Sequence, residues 1–118
     1  MSTIPSAFVN NIMKPIVANQ LHCHIFHESI NGFSFYKNDG DSNSDSFYMF
    51  LIGNTIEYRL PLQPSGYSQA SYDLNNFNLN EAMDFFGTLL GVNIANIVHP
   101  NEADVNLNMA NGNQQQEL

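Results

Sequence analysis

The chain has 118 residues, 43% of them hydrophobic, and a formal net charge of −8 at pH 7. That length holds one domain with a core of its own, and no run of eighteen apolar residues is present to cross a bilayer. The charge reflects a shortage of bases, Lys14, Lys37 and Arg59 only, and three bases cannot build the stripe on which nucleic-acid or anionic-membrane binding rests.

Eleven scattered acids make a poor copy of duplex DNA, which carries about one charge per 1.7 Å of axis. The eighteen asparagines fit the codon bias of an AT-rich genome better than a function. The lone Cys23 cannot form an internal disulfide, and the N-terminus lacks the basic start, unbroken apolar block and cleavage site of a secretory signal. A cytoplasmic protein is the expectation.

In chain order, Ser6 reads as the N-cap of a first helix whose apolar face is Phe8, Val9, Ile12, Met13, Ile16 and Val17. Pro15 lies within that face, lacks an N–H and clashes with the preceding turn, which predicts a kink or restart near Lys14. Residues 21–60 read as a four-stranded antiparallel meander. Its first hairpin is expected to turn at Asn31-Gly32 and its second at Gly53-Asn54. The third strand, Phe47 to Ile52, is apolar on both faces, as in a central strand covered on both sides or covered on one side by a partner.

Residues 61–78 read as a long polar loop bearing Tyr67, Tyr72 and Phe77. Asn78 and Glu81 form an approximate capping box for a second helix ending at Gly91. Residues 92–98 suit either a strand or a short helix. The expected fold is α+β: a kinked helix, a four-stranded sheet and a second helix on one face of it, within a single domain over 1–100. A polar, disordered tail over 101–118 is expected to follow.

Chemistry concentrates in "HCHIFHE", residues 22–28. In a regular strand His22, His24 and Glu28 share one face, and Cys23, Ile25 and His27 share the other. Two histidines at i and i+2 with a carboxylate can hold one divalent metal. The spacing His-x-His-x-x-x-Glu resembles the first metal motif of the cupins, and "PSG" at 64–66 is similar to part of their second. The resemblance implies a small β-barrel holding a divalent metal. It departs from this chain at Ile16, where the motif has glycine, and at Gln69, where the second motif has histidine. The plainer account is a polar strand face with no metal and no cofactor, Cys23 filling core volume.

"DGDSNSD" at 39–45 alternates oxygen ligands as a calcium loop does, but Ser44 and Phe50 stand where an EF-hand has glycine and glutamate. Neither a serine-nucleophile motif nor a glycine-rich phosphate loop is present, so an enzyme is not expected. Glu81 and Asp84 suit the start of a helix without catalysis.

The expectation that remains is a small acidic module, monomer or homodimer, that binds another protein with a basic surface. The inhibitor, immunity or anti-defence kind fits, with electrostatic steering toward its partner. In size, acidity and its helix-then-strands opening the chain also resembles type III secretion chaperones, which implies a dimer holding an extended segment. Partner contacts are expected at Glu57, Tyr67, Tyr72, Asp73 and Phe77, from predicted exposure alone.

Overall fold

In the computed structural model, which describes residues 3–37, 46–62 and 65–97, the apolar pairs Phe8-Val9, Ile12-Met13 and Ile16-Val17 are all buried. They recur every four positions, and on an α-helix at 3.6 residues per turn such a stripe would drift by about 40° per repeat. The helix avoids the drift by widening. An α-helical start, Thr3–Ala7, leads into π-helical turns Phe8–Met13 and Ile16–Gln20, together called α1. Their bonds reach five residues back: Lys14 N–H donates to Val9 O, and Leu21 N–H to Ile16 O at 3.1 Å. Lys14 and Pro15 keep helical dihedrals, so the expected restart takes the form of wide turns on either side of the proline. Ser6 lies inside the helix and is not its N-cap; its hydroxyl reaches Ile30 O at 3.4 Å.

Among the described residues five strands follow, not four: β1 (His24–Ser29), β2 (Gly32–Tyr36), β3 (Ser46–Ile52), β4 (Thr55–Pro61) and β5 (Tyr67–Asp73). They pair antiparallel in the order β1-β2-β3-β4-β5. The expected loop over 61–78 therefore contains an edge strand. Its sequence, YSQASYD, carries no β-branched residue, and Tyr67 and Tyr72 alone favour a strand, so propensity gives only a weak warning. Seven consecutive pairings with β4, from Pro61↔Tyr67 to Thr55↔Asp73, hold it in place.

The β3–β4 hairpin turns at Gly53-Asn54 as expected, with Gly53 at φ 60. The first hairpin turns one residue early, at Ile30-Asn31, because Gly32 is needed inside β2: a Cβ there would overlap Met49 O.

The helix α2 (Leu79–Leu90) starts where the capping box predicts. Asn78 Oδ1 accepts from Glu81 N–H at 2.9 Å, and Gly91 closes the helix at φ 74. Of the segment left open between strand and helix, the described residues 92–97 hold a short helix, α3 (Ile94–Ile97).

Both α1 and α2 pack on one face of the sheet. That inner face presents Phe33 and Phe35 of β2, Phe47 and Met49 of β3, and Ile56, Tyr58 and Leu60 of β4. Phe86 joins the layers: its ring lies 5.8 Å from Phe8, 5.3 Å from Tyr58 and 5.0 Å from Tyr72. The motifs at 39–45 and the tail at 101–118 lie outside the described residues, as does Pro64.

At Gly87 a Cβ would come to 2.7 Å from the backbone oxygen of Val92 and 3.3 Å from Ile94. Alanine gains up to about 1 kcal/mol in helix propensity over glycine, whereas forced overpacking against fixed backbone costs about 1–3 kcal/mol. Gly87→Ala is expected to lose about 1–2 kcal/mol net in urea unfolding; a gain would mean α3 does not sit against α2.

Candidate functional site

The face opposite the helices carries the unusual surface. Its residues come from cross-strand register, since directly paired residues project on the same side. One row runs His24↔Tyr36↔Ser46 and a second His27↔Ser34↔Tyr48↔Arg59↔Gln69. A third runs Ser29↔Gly32↔Phe50↔Glu57↔Ser71, and a fourth Ile52↔Thr55↔Asp73. No described helix or loop covers them. The two-sided apolar character of β3 is thus split: Phe47 and Met49 are buried in the core, while Tyr48 and Phe50 lie half-buried on the open side.

The rings on this face touch one another. Phe26 stacks on Tyr36 with centroids 5.7 Å apart and a 27° interplanar angle, and His24 lies 4.9 Å from the same ring. His27 lies 6.0 Å from Phe50, which lies 6.3 Å from Tyr48. The Arg59 guanidinium sits 4.3 Å from the centroid of Tyr67, within cation–π range. Gln69 donates from Nε2 to Tyr48 Oη at 3.0 Å, and Ser71 Oγ donates to Glu57 at 2.6 Å. Phe26 is 52% exposed and Tyr67 50%.

A β-bulge decides which side chains reach this face. Ile25 pairs with Phe35 and His27 with Ser34, leaving Phe26 without an opposite residue. The regular alternation expected for 22–28 is therefore broken: His24 and His27 share the open face, while Ile25 and Glu28 turn to the helix side. Glu28 is bound there to Lys14 at 2.8 Å. His22 precedes the strand altogether. It adopts φ 57 just after the last turn of α1, and the next N–H, of Cys23, donates back to Val17 O at 3.1 Å. This is a helix-closing position, usually taken by glycine.

The three residues of the cupin-like pattern, His22, His24 and Glu28, are thus separated by a helix stop and a register shift. Among the described residues no group of three or more His, Cys, Asp or Glu side chains comes together. Gln69 stands on β5, bonded to Tyr48.

Of the five residues expected to meet a partner, Glu57, Tyr67 and Asp73 lie on the open side. Asp73 also accepts from Asn75 N–H at 2.9 Å, fixing the turn after β5. Tyr72 and Phe77 turn inward. Tyr72 packs 5.0 Å from both Phe85 and Phe86, and burial, helped by the charge of Glu81, pushes its hydroxyl pKa up. Phe77 lies 5.9 Å from Phe8. Phe26, Tyr36, Tyr48, Phe50 and Arg59 were not expected on the site. Alternation along β3 could have found Tyr48 and Phe50; nothing in the sequence announces the bulge that exposes Phe26.

No protein-family model matches the chain, nor does any curated protein or solved structure. Among the described residues no helix is long and apolar enough to cross a membrane.

A non-glycine residue in the left-handed region costs about 1 kcal/mol. His22→Gly is therefore expected to raise unfolding free energy by about 0.5–1 kcal/mol in chemical denaturation. A destabilised variant would show that the imidazole makes a contact the fold requires.

Proposed function

We propose that the chain is a non-enzymatic protein-binding module that uses the open face of its sheet to mask a partner protein, in the manner of an inhibitor or antitoxin. The observation that carries this reading is the aromatic surface centred on Phe26, Tyr36, Tyr48, Phe50 and Tyr67, joined by Arg59. Tyr, Phe and Arg are the types enriched in interface cores and among the residues that dominate binding energy.

The shape of the face favours a macromolecular partner over a small ligand. Five strands spaced at about 4.8 Å, each rising about 3.3 Å per residue, span roughly 24 by 20 Å. A face of that size, about 480 Å² in projection before its standing rings are added, supplies more than half of the roughly 800 Å² that each partner gives to a standard interface. Small-molecule sites are concave and enclose their ligands.

Charge has a separate part in this reading. Of the eleven acids only five lie among the described residues, together with all three bases. The open face itself carries Arg59 against Glu57 and Asp73, close to neutral. Contact there is aromatic and polar, while the −8 of the whole chain steers a basic partner toward it.

The test captures partners on the immobilised full chain, identifies them by mass spectrometry and measures affinity for single variants. Phe26→Ala and Tyr36→Ala are each expected to weaken binding about tenfold or more while leaving unfolding free energy within about 0.5 kcal/mol. The association rate is expected to fall with added salt. Full affinity in both variants and in Tyr67→Ala would contradict the proposal.

A further inference from the structure

The sheet has two edges, and only one is defended. β1 carries the bulge at Phe26 and is preceded by the left-handed His22, both of which spoil it as a template for another strand. β5 has none of the usual protections: no bulge, no proline and no lysine over seven regularly paired residues. Tyr67, Gln69, Ala70, Ser71 and Asp73 are all exposed.

The direction of its free backbone groups follows from two bonds at its ends. Leu74 N–H donates to Asn54 O, and Gly66 O accepts from Leu62 N–H, both at 3.0 Å. Even-numbered residues of this register thus bond inward to β4. By the alternation of an antiparallel ladder, Tyr67, Gln69, Ser71 and Asp73 direct their N–H and C=O groups outward.

We propose that this edge pairs antiparallel with the same edge of a second copy, about a two-fold axis through Ala70, to form a continuous ten-stranded sheet. Ala70 is the midpoint of β5, so only that register pairs all seven of its residues with the second copy. Pairing about Ala70 sets Gln69 opposite the second copy's Ser71, and Tyr67 opposite its Asp73. Both pairs join outward-directed residues and each occurs twice about the axis, so the four pairs exchange two backbone hydrogen bonds apiece, eight in all. The only charge on the strand, Asp73, meets a tyrosine and not its own copy. Centring on Ser71 would place Asp73 against Gln69 and strand Tyr67 beyond the pairing. Centring on Asp73 would set like charges face to face.

The helix side agrees. Ser68 and Ala70 project there as small residues, and Tyr72 would stand opposite the second copy's Ser68. Phe85, 38% exposed, lies on this side 5.0 Å from Tyr72. The two-fold keeps both open aromatic faces on the same side of the joined sheet. This inference stands on the edge geometry and does not depend on what the open face binds.

Two double variants that differ only at residue 69 provide the test, read by sedimentation velocity on the full chain across a concentration series. Gln69→Glu/Ser71→Lys places opposite charges across the axis and sets each new charge beside an opposite one on β4, Arg59 and Glu57 respectively. It is expected to remain, like the wild type, at twice the 13.2 kDa chain mass. Gln69→Lys/Ser71→Lys sets like charges opposite each other twice and is expected to raise the dimer dissociation constant about tenfold or more. Circular dichroism checks that both variants fold. A wild type that stays at 13.2 kDa at millimolar concentration overturns the proposal, as does equal dimerisation of the two folded variants.

Discussion

The contact on which the rest of the structure depends is the packing around Phe86. Its ring lies against Phe8 from the first helix, Tyr58 from the fourth strand and Tyr72 from the fifth, with Phe85 beside it at 5.0 Å. Buried aromatic pairs of this kind contribute about 0.5–1.5 kcal/mol each beyond the area they bury. Their importance here is placement. Both helical segments are drawn to the same face of the sheet because both meet at this ring, one from each end of the chain.

The open opposite face follows from that arrangement. A meander whose flanking helices share one side must leave the other side to solvent or to a partner, and polar residues are the ordinary outcome. This chain instead places Tyr48 and Phe50 on its central strand and brings Phe26 and Tyr36 together beside them. The bulge at Phe26 has two effects at once. It turns an aromatic ring outward and it spoils the edge strand that carries it. The far edge, β5, is left regular and undefended.

Much of the fold was legible in the sequence. The apolar pairs of α1, the Gly53-Asn54 turn and the Asn78/Glu81 cap each rest on local physics that little else competes with. The four-residue period of Phe8-Val9, Ile12-Met13 and Ile16-Val17 also carried the signal for wide turns, since it fits neither 3.6 nor 3.5. β5 was hidden because its residues are held by pairing with β4 and by Tyr72 against Phe85 and Phe86, interactions that depend on distant residues. The histidine-rich segment misled for a related reason. Alternation holds only while register holds, and one extra residue at Phe26 sends His24 and Glu28 to opposite faces. Tyr72 and Phe77, polar or loop-borne by sequence, turned inward once the aromatic cluster existed to receive them.

The central claim, that this aromatic face is open in the free protein and closes on a partner, can be read directly by hydroxyl-radical footprinting of the full chain alone and in complex. The account predicts that Phe26, Tyr36 and Tyr67 are readily oxidised in the free chain while Phe8, Phe33 and Phe86 are protected, and that the first three become protected when the partner binds. Protection of Phe26, Tyr36 and Tyr67 in the free chain, or their unchanged oxidation in the complex, would contradict it.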